Sequence, residues 1–152
     1  MSPVQDTVAA LQAALAAEHV AVFGYGVLGG HAGPAQRENV TLIWTAHRNR
    51  RDRLRGYIQS AGGRPVAAAA AYRLPFKVTS ASSAARLAAT LEDGVVAGYA
   101  VLAGASDPNL RRYAAQAMQE AAVRAVRWRG SAPTEAFPGL PPSALSPNPR
   151  NK

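Results

Sequence analysis

The chain contains no cysteine, and this absence excludes several kinds of site at once. Without a thiol there is no disulfide framework, no thiolate nucleophile, and no zinc–thiolate or iron–sulfur centre. Lysine is almost absent as well and occurs only at Lys77 and Lys152, so nearly all of the 17 basic residues are arginine. They outnumber the 9 acidic residues, and the formal net charge of +8 predicts a surface with an excess of guanidinium groups.

Aromatic residues are also few, at 7% of the chain, although hydrophobic residues make up 48%. The apolar content is therefore mostly alanine, which is the best helix former and lets neighbouring helices approach closely. This composition predicts an all-α protein. Its 152 residues suit one compact domain that buries a sizeable core.

Long uncharged apolar runs are absent too. The two longest, around residues 19–33 and 94–105, fall short of the roughly 20 residues that span a bilayer, and glycines interrupt both. The N-terminus lacks the basic stretch and apolar stretch of a secretion signal. We therefore expect a cytoplasmic protein without a membrane partner.

Four helical segments are predicted from apolar periodicity and from their end signals. They run from about 3 to 28, from 34 to 61, from 80 to 104 and from 108 to 129. Ser2 and Asp107 are good N-caps because each stands directly before a proline, and Gly130 ends the last segment.

The connections between these segments predict how the helices are arranged. Short turns make two antiparallel hairpins, and the long connection over 62–79 crosses from one to the other. Two hairpins joined in this way form a ferritin-like four-helix bundle, which we place at residues 1–130. Residues 131–152, rich in proline and serine, are predicted to be an extended or disordered tail.

One polar residue interrupts the apolar stripe near the middle of each predicted helix. These residues are Glu18, His47, Glu92 and Glu120. A charged group on a core stripe is costly unless it is paired or bound to something. Because antiparallel helices bring their central positions to one level, the four side chains form the outline of a di-metal carboxylate site. The placement of Glu120 depends on which of two competing faces of the fourth helix is buried.

The ligand set for two metals is incomplete. A full site needs Glu-x-x-His on two of the helices, but Trp44 precedes His47 by three residues and Val123 follows Glu120 by three. Basic residues stand one turn further along each helix, namely Arg51 and Arg124. A guanidinium there neutralises carboxylates as a metal would. An iron or manganese site therefore remains an alternative interpretation. The missing ligands favour a metal-free buried network without a cofactor.

The segment Leu15-Ala-Ala-Glu18-His19, followed by Tyr25-Gly26, resembles the start of a bacterial ferritin-like family of unknown function. The likeness continues through His47-Arg48, Arg51-Asp52, Tyr72 with Leu74-Pro75-Phe76, Leu91-Glu92-Asp93, Arg124-Ala-Val-Arg-Trp128 and Phe137-Pro-Gly-Leu-Pro141. The resemblance implies a ferritin-like bundle and a homodimer, but no reaction. Ferritins and their relatives bind iron through the full ligand set, from which this chain departs at Trp44 and Val123, so ferroxidase activity is not expected.

A basic run on the second helix, from His47 to Arg55, makes nucleic acid an alternative partner. Its arginines spread over more than half of the helix circumference, and no aromatic residues alternate with them to stack on bases. This pattern favours an ordinary solvated surface over a nucleic-acid interface.

The sequence thus favours a binding or structural module with a degenerate di-metal site. The alternatives are a divergent iron or manganese redox protein and a non-specific nucleic-acid-binding protein. No catalytic residue is identified, because the serines cluster at helix starts and in the tail, and whether the chain is an enzyme stays open.

Overall fold

A computed structural model describes residues 2–132, and this part of the chain holds four α-helices and no strand. The helices are α1 (Pro3–Gly29), α2 (Arg37–Ser60), α3 (Ala81–Tyr99) and α4 (Pro108–Arg129). The all-α prediction is confirmed over this range. Short 3₁₀ turns at Pro34–Gln36 and Leu102–Gly104 replace the ends that were predicted as α-helix. Nearly all of the predicted tail lies outside the described residues.

The helix ends follow from local chemistry. The Ser2 hydroxyl accepts a hydrogen bond from the Gln5 N–H, and the Gln5 side chain accepts one from the Ser2 N–H, so together they form a capping box. The Asp107 carboxylate accepts from the Asn109 N–H at the start of α4. Gly130 ends α4 with a φ of 74°, in the left-handed region that favours glycine.

α1 packs against both α2 and α3 and runs antiparallel to each. Against α2, the Trp44 indole donates to the Val22 carbonyl at 3.2 Å. Against α3, Gly98 faces Ala17, and a Cβ at Gly98 would lie 2.4 Å from the Ala17 Cβ. Glycine at this position therefore lets α1 and α3 approach closely.

α3 packs in turn against α4, also antiparallel. Asp93, two turns before the end of α3, pairs with Arg129 at the end of α4. Tyr99 at the end of α3 packs on Tyr113 near the start of α4. Because α2 and α3 both run against α1, they are parallel to each other. Residues 61–80 therefore have to cross from one end of the molecule to the other.

The crossing segment is bonded to α1 over part of its length. The Gln12 side-chain amide donates to the Arg64 carbonyl at 2.6 Å and accepts from the Val66 N–H at 2.8 Å. The His19 ring lies 2.9 Å from the Val66 carbonyl. His19 is thus a structural residue that holds this segment, and it lies apart from the carboxylates in the core.

Two helical stretches, Pro3–Gly29 and Ala81–Gly104, are long and apolar enough to cross a membrane by length and composition. The uninterrupted apolar runs are shorter than these stretches because glycines and charged residues interrupt them, whereas mean hydropathy averages over such interruptions. Of their most apolar windows, 44% and 50% of the residues are buried against other parts of the chain. Each also carries one fully buried carboxylate, Glu18 or Glu92.

Candidate functional site

Three of the four predicted polar residues meet in the interior. Glu18 on α1, His47 on α2 and Glu92 on α3 each have 0% exposed surface. Their helical phase explains this, because each stands in register with the apolar residues one turn before and after it. We call these three residues the Glu18–His47–Glu92 cluster.

His47 lies between the two carboxylates. Its Nδ1 is 2.6 Å from Glu18 Oε2, and its Nε2 is 3.0 Å from Glu92 Oε1. Each ring nitrogen thus faces a carboxylate oxygen, which is the arrangement in which a doubly protonated, positively charged imidazolium donates at both nitrogens. Burial opposes that charge, but the hydrogen bonds and charges of Glu18 and Glu92 outweigh it and raise the pKa of His47 to about 9.

Two tyrosines complete the hydrogen bonding of the carboxylates. Tyr99 donates to Glu18 Oε1 at 2.8 Å, and Tyr25 donates to Glu92 Oε1 at 2.6 Å. Burial, with the adjacent carboxylate adding to it, raises the pKa of both phenols, so they stay protonated and act as donors. Trp128 extends the chain of bonds by donating from its indole Nε1 to the Tyr25 hydroxyl at 3.0 Å.

The sequence carries a signal for Tyr25 and Tyr99 as partners of the core glutamates. Each lies seven residues after a core glutamate, which is two turns along the same helix face. Both segments also place glycine directly before the tyrosine, giving the pattern Glu-x₅-Gly-Tyr at 18–25 and again at 92–99.

The repeat has a geometric consequence. α1 and α3 are antiparallel, so the glutamate of one copy lies level with the tyrosine of the other. Each tyrosine therefore bonds to the glutamate of the other helix. His47 of α2 lies between the two glutamates and bonds to one oxygen of each.

One oxygen of the cluster has no partner. Glu92 Oε1 accepts from both His47 and Tyr25, and Glu92 Oε2 is buried with no hydrogen bond to any residue of 2–132. An unpartnered buried oxygen of this kind is unusual and marks Glu92 as the least satisfied member.

Glu120 does not join the cluster, contrary to the sequence prediction. Its side chain is 42% exposed and accepts a hydrogen bond from Arg50 Nη2 at 2.6 Å. The buried face of α4 is the competing, mainly alanine face: Leu110, Ala114, Ala117, Ala121 and Ala125. Glu120 falls just outside it, and so only three of the four proposed metal ligands lie together.

The predicted role of Arg51 in the buried network is also wrong. Its Nε bonds to the exposed carboxylate of its neighbour Asp52 at 2.8 Å, which lowers the pKa of Asp52. Arg124 lies 3.9 Å from Glu120 with a side chain that is only 19% exposed, and its charge acts to lower the pKa of Tyr25 against the larger upward effect of burial. Arg50, which belongs to the basic run of α2, is the arginine that pairs most closely with Glu120.

The cluster is suited to holding a proton and joining three helices. In residues 2–132 no set of three or more histidine, aspartate and glutamate side chains is arranged to hold a metal ion. Both nitrogens of His47 are engaged with carboxylates, so neither presents a lone pair to a cation.

Comparison with known proteins shows the family to which the chain belongs. The family described as a domain of unknown function, DUF4439, matches residues 10–142, and the chain belongs to this family. A conserved hypothetical protein from Mycobacterium tuberculosis, whose crystal structure is known, is 35% identical. The two superpose with a TM-score of 0.80, and the match covers 83% of this chain and 96% of that one. No curated protein matches the chain.

Proposed function

We propose that the chain is a ferritin-like helical bundle that acts as a binding or structural module, with the Glu18–His47–Glu92 cluster in place of a di-metal centre. Two features of the fold support the ferritin-like assignment. The helices form antiparallel pairs joined by one long crossing segment, 61–80. The Glu-x₅-Gly-Tyr repeat also relates the first helix of one hairpin to the first helix of the other.

A single observation carries the proposal, namely the position of His47 between Glu18 and Glu92. In a di-metal protein, carboxylates from different helices are bridged by cations. Here a protonated ring contributes the positive charge between them. The charge is part of the chain, so the carboxylates are paired without an exogenous ion.

The residues of the cluster do not fit a pair of metals. Such a site needs about six ligands, including two Glu-x-x-His units. The chain has Trp44 and Val123 at the two decisive positions, and Glu120 is bonded to Arg50 on the outside of α4.

A second candidate is a divergent iron or manganese site with redox chemistry, and one observation favours it. Glu92 Oε2 is buried and unpartnered in the described range, and an oxygen in that condition is a candidate ligand. Metal binding there would require His47 to release a proton, because a metal binds a nitrogen lone pair. Binding by this route would become tighter as the pH rises.

Nitrogen NMR of the histidine side chains in the intact chain tests the proposal. We expect both ring nitrogens of His47 to be protonated at pH 7, with slowly exchanging protons that are lost in the Glu18→Gln variant. The matched control is Glu38→Gln, which changes an exposed carboxylate on α2 and should leave the His47 signals unchanged.

Elemental analysis of protein purified without a metal-binding tag separates the two candidates. Near-stoichiometric iron or manganese that disappears in Glu18→Ala but persists in Glu38→Ala would overturn the proposal and support the second candidate. A His47 ring with only one protonated nitrogen at pH 7 would overturn it independently of metal content.

The remaining expectations about partners are tested on the same protein. Light scattering should give about twice the chain mass of 15.9 kDa if the homodimer implied by the family resemblance forms.

Duplex DNA binding that falls steeply with salt would support the nucleic-acid alternative, and no binding at low salt would remove it.

A further inference from the structure

A second feature of the molecule lies outside the Glu18–His47–Glu92 cluster, in the gap between the start of α2 and the end of α4. It is a pocket of about 320 Å³. Gln36 and Asn39 line one side, Arg124 and Arg127 the other, and Leu42 and Trp128 supply apolar surface. We call it the α2–α4 pocket. Its volume lies at the lower end of the range for small-molecule sites.

The charged side chains of this pocket are of one sign. Arg124 and Arg127 are three residues apart on α4, so both guanidinium groups reach the same side of the helix. In residues 2–132, the ion pairs of α4 run from Arg50 and Arg124 to Glu120 and from Arg129 to Asp93, and none involves Arg127. No described carboxylate lines the pocket. An anion in the pocket would therefore meet Arg127, which has no ion pair within residues 2–132, and Arg124, whose longer 3.9 Å pairing with Glu120 competes for it.

The opposite wall adds to the preference for an anion. Gln36 and Asn39 belong to the first turn of α2 and its flank, where the positive end of the helix dipole lies. Their amides supply further hydrogen-bond donors. Glu38, the acidic residue of that turn, is not part of the lining.

The apolar part of the pocket indicates what carries the anionic group. The indole N–H of Trp128 is already bonded to the Tyr25 hydroxyl, so the ring surface rather than the N–H is available to a ligand. A ring surface beside two guanidinium groups suits a flat aromatic group with a phosphate attached. We propose that the α2–α4 pocket binds a small aromatic phosphate of the mononucleotide class.

Fluorescence of Trp128 measures this binding. The chain has two tryptophans, and Trp44→Phe leaves Trp128 as the only one. Adenosine monophosphate should change its emission in a saturable way, inorganic phosphate should bind more weakly, and adenosine should bind least. Calorimetry on the unaltered chain should give the same affinity for the monophosphate, which controls for the Trp44 substitution.

Arginine variants on the same helix make the test specific. Arg127→Ala should weaken the affinity for adenosine monophosphate by about tenfold or more, since it removes a charge-assisted hydrogen-bond donor. Arg112→Ala changes an exposed arginine near the other end of α4 and should leave the affinity unchanged. The proposal is overturned by the absence of saturable binding, by equal weakening in both variants, or by adenosine binding as tightly as its phosphate. None of these results bears on His47, whose protonation is measured separately.

Discussion

Tyr25 donates its hydroxyl hydrogen to Glu92 on α3 and not to Glu18 on its own helix. The reciprocal bond runs from Tyr99 to Glu18, so each long core helix contributes one donor and one acceptor to the other. Separating α1 from α3 would leave both carboxylates without these donors. The cluster therefore couples the formation of one hairpin to that of the other, and it does so in a region that is closed to water.

Removing the Glu18 carboxylate should destabilise the fold strongly. Glu18→Ala leaves the His47 charge paired on one side only and deprives Tyr99 of its acceptor. Losing one partner of a buried ion pair costs about 3–5 kcal/mol in the free energy of unfolding. Urea denaturation followed by circular dichroism measures it. The exposed Glu38→Ala should change the same free energy by less than about 0.5 kcal/mol, and an equal effect in both variants would contradict the buried pairing.

Stability should fall as the pH rises through the range from about 6.5 to about 9. Hydrogen bonds to Glu18 and Glu92 raise the pKa of His47 to about 9, above its ordinary value of 6.5. The folded chain therefore retains a proton that the unfolded chain has lost. The retained proton makes its full contribution to the free energy of unfolding below pH 6.5, and this contribution disappears above pH 9. A pKa shift of this size corresponds to about 3 kcal/mol.

Denaturant titrations at several pH values measure this decline. His47→Gln should abolish it, whereas His31→Gln, which changes an exposed turn residue, should leave it intact. If stability is constant from pH 6.5 to 9 in the unaltered chain, His47 does not hold its extra proton in the folded state.

Because α1 and α3 approach closely, replacement by alanine should affect stability differently at two glycines of α3, Gly98 and Gly94. A Cβ at Gly98 would lie 2.4 Å from the Ala17 Cβ, whereas a Cβ at Gly94 meets nothing within 4 Å. Both alanine variants gain helix propensity, so their difference isolates the overlap. Gly98→Ala should be less stable than Gly94→Ala by about 1–3 kcal/mol. Thermal melts that place the two variants at equal stability would show that the helices separate without cost.

The buried hydroxyl of Tyr25 should contribute measurably to the free energy of unfolding. Tyr25→Phe removes the donor to Glu92 and the acceptor for Trp128 while keeping the ring in place. Leaving buried polar groups unpaired costs about 1–3 kcal/mol in the free energy of unfolding. Tyr72→Phe removes a hydroxyl whose bond to the Ala69 N–H is exposed, and it should have a much smaller effect. Equal effects of the two substitutions on the free energy of unfolding would contradict the buried position of the Tyr25 hydroxyl.

The sequence predicted the helices and the inward position of Glu18, His47 and Glu92 for a common reason. Helix ends at Ser2, Asp107 and Gly130 are decided by neighbours within one turn. The apolar period then shows which residues share a face, and Glu18 and His47 stand clearly within it. Signals of this kind are local and can be interpreted without knowing which helices pack together.

The fourth helix shows where local signals fail. α4 is rich in alanine, so its two candidate faces differ little in hydrophobicity, and only packing against α3 decides which is buried. That packing turns Glu120 outward to Arg50. Arg51 likewise bonds to the adjacent Asp52, because a flexible guanidinium pairs with whichever carboxylate is nearest in space.

By itself, then, the sequence determined that this is an all-α protein with Glu18, His47 and Glu92 on buried helix faces. The tertiary structure decided what those residues do to one another. The antiparallel packing of α1 and α3 pairs each Glu-x₅-Gly-Tyr copy with the other, and α2 brings the His47 ring between the two glutamates. Hydrogen bonds between helices depend on atomic distances across the core, and periodicity along one helix carries no information about those distances.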